Sequence, residues 1–205
     1  MALLSIRNKG RAPLSAALYL VRHGSHADLG SRLTGRGDER GLTDAGRAEA
    51  GRAAALLSGK PVTAVYASPR QRTIDTAGAI AFRHGLPVRL AAALDEIDFG
   101  EWTGRCFSEL DGQPSWDRWN QTRSAARCPG GESMTEAQAR AVAFAIEAAA
   151  RHEGAVVLVT HCDIIRALLC WQERRSLDDI LLFEAGPASV TALTIVAAER
   201  ELAPC

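Results

Sequence analysis

Short apolar runs alternate with longer amphipathic stretches along the chain. Ala17-Leu18-Tyr19-Leu20-Val21 is an unbroken apolar run of strand length, and it leads straight into Arg22-His23-Gly24. Leu42-Thr43-Asp44-Ala45-Gly46 then opens an Ala-rich helix reaching about Leu57, with Thr43 or Asp44 as its N-cap. Val62 to Tyr66 predicts a second strand. Ser68-Pro69-Arg70 predicts the start of the next helix, because proline suits a first helical turn. Pro87 to Leu90 is a short third strand, followed by a loop from Asp95 to Gly104. Phe107 to Arg127, which holds Trp116 and Trp119, reads as irregular helix, and Thr135 to Arg151 as a regular Ala-rich one. Ala155-Val156-Val157-Leu158-Val159 is the most strand-like run of all and ends at Thr160-His161. A helix from about Asp163 to Trp171 and a last strand from Ser189 to Val196 complete the series.

Strands and helices in alternation predict an α/β fold, a three-layer α/β/α arrangement on a mostly parallel central sheet. A length of 205 residues suits one core rather than two. Residues 16–205 are therefore expected to form a single domain behind an N-terminal tail, residues 1–15. The polar residues fall at telling places. Arg22 and His23 follow the first strand, Ser68 and Arg70 the second, Glu96 the third and His161 the fourth. Ligands of open parallel sheets collect beyond the carboxyl ends of the strands, so four strand ends deliver these groups to one edge.

Charge and cysteine content narrow the partners. The 24 basic and 24 acidic residues cancel, which leaves no overall field to gather nucleic acid or an anionic membrane. An anion must then be met by local arginines. No apolar run reaches membrane-spanning length. The five cysteines, Cys106, Cys128, Cys162, Cys170 and Cys205, form no CxxC pair, which argues against a disulfide framework or a zinc site and for a reducing cytoplasm.

The strand-end groups suit phosphoryl transfer. Two guanidiniums match phosphate oxygens bidentately. A neutral imidazole is a competent nucleophile, and a second, if protonated, adds a donor to the transferring group. Arg22, Arg70 and His161 would neutralise the equatorial oxygens without metal or cofactor. A carboxylic acid must protonate the leaving oxygen and later take a proton from water. Asp95, Glu96, Asp98 and Glu101 are equal candidates on residue type alone.

Leu20-Val21-Arg22-His23-Gly24 resembles the signature of the histidine phosphatase superfamily, which includes the cofactor-dependent phosphoglycerate mutases. The resemblance continues in order through Leu33-Thr34-Gly35, Leu42-Thr43-Asp44-Ala45-Gly46, Ala67-Ser68-Pro69-Arg70-Gln71-Arg72-Thr73, Leu94-Asp95-Glu96-Ile97-Asp98-Phe99-Gly100-Glu101-Trp102-Thr103-Gly104, Gly130-Gly131-Glu132-Ser133 and Val159-Thr160-His161. It implies a phosphoglycerate mutase-like fold, His23 as nucleophile, Glu96 as the acid, and Arg22, Arg70 and His161 as the phosphate pocket. Gly24, Thr34, Gly35 and Cys162 join the implied substrate contacts. The stretch around Glu96 is similar to that of α-ribazole and broad-specificity phosphatases, and the expected partner is a small phosphorylated metabolite.

The chain departs from the family pattern in three places. Ser25, His26 and Leu29 stand where relatives often carry Glu-Ser or Glu-Thr and then Asn. Cys162 replaces the usual glycine after the second histidine. Only a short segment separates Gly104 from Gly130, where mutases carry a longer basic insertion. The expected activity is thus a metal-independent phosphatase, with a mutase or a non-catalytic phospho-ligand binder as alternatives. Arg36 and Arg72 stand apart from the constellation. Arg36 reads either as a contact for a second anion or as an exposed loop residue. His84 and His152 read as helix-end residues, and Phe107, Trp116 and Trp119 as core or lid packing rather than pocket wall.

Overall fold

The computed structural model describes residues 17–37 and 40–195. The expected tail, residues 1–15, lies outside the described residues, as do Val196 and Cys205. Five strands, β1 (Ala17–Arg22), β2 (Val62–Ala67), β3 (Val88–Leu90), β4 (Ala155–Thr160) and β5 (Val190–Thr194), form one sheet in the order β3-β2-β4-β1-β5. The β1–β4, β2–β4 and β2–β3 pairs are parallel, and β5 runs antiparallel against β1.

Side-chain alternation along the central strands separates two cores. Leu18, Leu20, Tyr66, Val156 and Leu158 face one side, and Val21, Val65, Ala67, Val157 and Val159 the other. Helices α1 (Asp44–Leu57) and α2 (Gln71–His84) cover the second side, through Ala53, Leu57, Ala77 and Ile80. Helices α5 (Met134–Arg151) and α6 (Cys162–Gln172) cover the first, through Ala141, Ala145, Ile164 and Leu168. Covering both faces accounts for the continuous apolar run of β4, in which every residue is buried.

The loop between β3 and α5 differs from the expectation in detail. A short 3₁₀ turn, Gly100–Trp102, sits inside the expected loop, and another, Ala92–Leu94, sits between β3 and that loop. The irregular stretch resolves into α3 (Phe107–Leu110) and α4 (Pro114–Gln121). Trp116 and Trp119 are 8% and 0% exposed and pack edge-on against Trp102. They are core, as their helical spacing suggested, but together with Phe107 they also form part of the wall of the cavity at the strand ends, against the expectation. Among the described residues no helix is long and apolar enough to cross a membrane.

α1 fixes the loop that follows β1. Thr43 caps it, accepting from the Gly46 amide at 3.1 Å and donating its hydroxyl to the Ser25 carbonyl at 3.1 Å. A Cβ on Gly46 would stand 2.0 Å from that same carbonyl, so glycine alone lets the loop press onto the helix start.

Candidate active site

β1 ends at Arg22, and the His23 amide is still held in the sheet by the Thr160 carbonyl at 3.0 Å. The His23 ring is fixed by a 2.8 Å hydrogen bond from Nδ1 to the Gly24 carbonyl. Nδ1 therefore carries the proton and Nε2 keeps its lone pair. Burial, with the Arg72 and Arg22 guanidiniums and His26, holds this imidazole well below the usual histidine range, against the raising effect of the Gly24 carbonyl. A neutral, oriented imidazole results. It faces a cavity of about 460 Å³ whose wall includes Arg22, Arg72, Glu96, Thr34, Gly35 and Cys162. Arg22 donates from Nη1 to the Ala185 carbonyl at 2.6 Å, while its buried Nε has no partner among the described residues.

The arginine of the Ser68–Thr73 motif that reaches the cavity is Arg72, not Arg70. Arg70 is the extended N-cap residue of α2, and its side chain turns away to Asp95, at 2.9 Å, and to the Arg36 carbonyl, at 2.7 Å. Arg72 lies on the buried face of α2 with Thr76 and Ile80, one residue per turn. It donates to the Gly35 carbonyl at 2.7 Å and lies 3.2 Å from His161 Nδ1. Closeness to the strand end points to Arg70, whereas the phase of α2 puts Arg72 on the cavity wall. An arginine in register with the apolar stripe of a helix was the signal available.

Gly24 is also reassigned. Its amide donates to Thr76 Oγ1 at 3.0 Å and its carbonyl accepts the hydrogen bond from His23 Nδ1, so its polar groups orient the His23 ring and do not face a ligand. Ser25 is spent on Glu49, through its amide at 2.7 Å and its hydroxyl at 3.0 Å. His26 and Leu29 do line the cavity, His26 with its ring 5.2 Å from that of His23.

His161 is fully buried one layer behind the wall, its ring 5.3 Å from His23. Nε2 donates to Ser68 Oγ at 2.9 Å, and Ser68 donates on to Asp95 Oδ1 at 3.0 Å. Nδ1 is left to accept from Arg72. Burial first, then Arg72 and His23, keep this imidazole well below the usual range. The second histidine is thus neutral here, in place of the protonated donor considered from sequence. A phosphoryl dianion brought close would favour its charged form.

Glu96 is the candidate carboxyl that lines the cavity, with Oε2 3.8 Å from His161 Nδ1 and Oε1 accepting from the Ile97 amide at 3.0 Å. Burial, and secondarily the charge of Asp163, push it up to about 7, against Arg72 and Arg22. Asp95 is committed to Ser68 and Arg70, and Asp98 caps the Gly100 amide at 3.0 Å. Arg36 is not a free loop residue. It bonds Glu132 at 2.8 Å and the Glu96 carbonyl at 2.8 Å.

The family model of the histidine phosphatase superfamily (branch 1) matches residues 18–203, and the chain belongs to that family. It is 33% identical to the glucosyl-3-phosphoglycerate phosphatase of Mycolicibacterium vanbaalenii over 161 residues, 74% of this chain and 71% of the relative. It is 31% identical to a 2,3-bisphosphoglycerate-dependent phosphoglycerate mutase of Rhizobium etli over 193 residues, 88% of this chain and 91% of the relative. The native structure of a mycobacterial glucosyl-3-phosphoglycerate phosphatase superposes with a TM-score of 0.78 at 28% identity, covering 88% of this chain and 90% of that one.

Proposed function

We propose that this protein is a metal-independent phosphatase that hydrolyses a small phosphomonoester through a phosphohistidine on His23. The observation that carries the reading is the His23 imidazole, buried, neutral and oriented with Nε2 available beside two guanidiniums and a protonatable carboxyl. Nε2 attacks phosphorus in line, and the ester oxygen leaves with the proton of Glu96. Arg22 and Arg72 balance the charge on the equatorial oxygens, with His161 orienting Arg72. Glu96, now ionised, then takes a proton from the water that attacks the phosphohistidine, and inorganic phosphate leaves with His23 restored. The positive charge for both steps comes from arginines, which supports turnover without a metal ion.

Phosphatase names among the relatives support the hydrolytic outcome, while the Rhizobium relative keeps a mutase as the second reading. The four described cysteines are free thiols, which suits the reducing cytoplasm we propose as its compartment. The deciding experiment incubates wild type and His23→Ala with a labelled phosphomonoester in EDTA and quenches in acid and in alkali. Acid-labile, alkali-stable label on wild type alone, with phosphate released, is expected. Label on another residue, or turnover that needs magnesium, would sink the mechanism. Interconversion of phosphoglycerates without net phosphate release would mark a mutase.

A further inference from the structure

Away from His23 the same cavity carries a second positive pole. The turn after α4 contributes Arg123, and the first turns of α6 contribute Asp163 and Arg166. Arg123 lies 5.2 Å over the Trp119 ring and donates to Asp163 Oδ2 and to Asn120 Oδ1, each at 2.9 Å. Arg166 reaches Asp163 Oδ1 at 3.5 Å and gives its Nε to the Phe183 carbonyl at 2.9 Å. Among the described residues, Asp163 is the sole carboxylate within ion-pair distance of either arginine. Two guanidiniums share one carboxylate, so this wall holds a surplus of one positive charge.

The surplus is sheltered from water. The Arg123 side chain is 9% exposed, and its Nε has no hydrogen-bond partner among the described residues. A sheltered, incompletely paired guanidinium destabilises the empty protein. Such an arrangement is explained when a ligand completes it. Tying α4 to α6 would need one arginine on Asp163, not two, and would not need them to open on the cavity. One uncancelled charge matches a monoanion, and the planar fork of a guanidinium matches a carboxylate.

We propose that this pole binds a carboxylate of the substrate, so that the preferred phosphomonoester carries a carboxylate on the carbon skeleton beyond the ester oxygen. The assignment rests on the phosphatase reading, which places the phosphoryl group at His23. Arg123 and Arg166 then set specificity.

The test compares 3-phosphoglycerate with glycerol 3-phosphate, which differ by a carboxylate in place of a hydroxymethyl group. Wild type is expected to favour the first in kcat/KM by about tenfold to a hundredfold, the worth of one charge-assisted contact. Arg123→Gln should bring that ratio near one, and Arg123→Lys should restore part of it. If Arg123→Gln melts well below wild type, Arg166→Gln, at a more exposed site, is measured for the same ratio. A wild-type ratio near one, or a preference that survives in both variants, overturns the subsite while leaving hydrolysis of p-nitrophenyl phosphate as evidence for the phosphatase. If nothing is hydrolysed, the phosphatase reading fails. Calorimetric titration of the two esters then decides the subsite by the same ratio in Kd.

Discussion

Glu132 grips Arg140 with both carboxylate oxygens, Oε1 on Nε and Oε2 on Nη2, each at 3.0 Å. So fixed, Arg140 donates to the carbonyls of Ala93 and Asp95 at 2.8 Å and of Glu96 at 3.0 Å. Arg36 bonds the Glu96 carbonyl and Glu132 from the other side. Two guanidiniums bridged by one carboxylate thereby clamp the backbone of the residue proposed as the acid. Burial would raise the Glu132 carboxyl, but Arg140, the Asp98 amide and Arg36 outweigh it and hold it below the usual range.

Glu132→Ala should therefore act at a distance. We expect a stability loss of about 2 kcal/mol, discounted for partial exposure, read by urea unfolding. We also expect a fall of about tenfold or more in kcat on an alkyl phosphate, partly restored by Glu132→Gln. A variant that unfolds earlier yet keeps its full kcat would show that the clamp serves the fold alone.

Arg72 and Arg70 should separate cleanly by mutation. Removing a donor aimed at developing charge costs about a hundredfold to a thousandfold in kcat, and Arg72→Ala should lose at least that in phosphoenzyme formation. Arg70→Ala removes the shorter of the two arginine contacts of Asp95, leaving Arg36 at 3.7 Å, and acts on the site indirectly, through Asp95 and Arg36, so its loss should be about tenfold. Equal losses in rapid-quench phosphorylation, or a greater loss for Arg70→Ala, would return the pocket role to Arg70.

The exchange of Arg70 for Arg72 shows where the sequence stops being legible. Strand positions follow from apolar runs, so β1, β2 and β4 and the groups at their ends were readable to within a residue or two. Which side chain of a turn faces inward depends on helix phase. α2 begins at Gln71, one residue past Arg70, and that shift turns Arg70 outward. The Arg123–Asp163–Arg166 cluster was not legible because it joins residues 40 apart in sequence across α4 and α6, and no local pattern encodes that contact. Gly46 was readable as part of a motif, yet its reason, the Ser25 carbonyl 2.0 Å from an added Cβ, is a tertiary one.

The pH profile should have an alkaline limb near 7. Glu96 must be protonated to serve as acid and is pushed up to about 7, chiefly by burial and then by Asp163. His23 is held low and stays neutral well into acid. As pH rises through about 7, kcat/KM for an alkyl phosphate should fall. Asp163→Asn removes a negative charge that favours the proton on Glu96, so the limb should move to lower pH. A limb that stays put or moves upward would mean another group sets it.

Glu96 itself should matter in proportion to how poorly the substrate leaves. An alkoxide needs the proton, whereas nitrophenolate departs without it. Loss of a general acid costs about a hundredfold to ten-thousandfold. Glu96→Gln should thus cripple hydrolysis of an alkyl or sugar phosphate and spare formation of the phosphoenzyme from p-nitrophenyl phosphate. Steady-state turnover should fall for both substrates, because the same carboxylate is proposed to activate water in the second step. The informative quantity is the pre-steady-state burst of nitrophenolate, which should keep its wild-type rate while later turnover slows. If the burst is as damaged as alkyl phosphate hydrolysis, Glu96 is not the leaving-group acid. Asp163, the other carboxyl on the cavity wall, would then be the one to test.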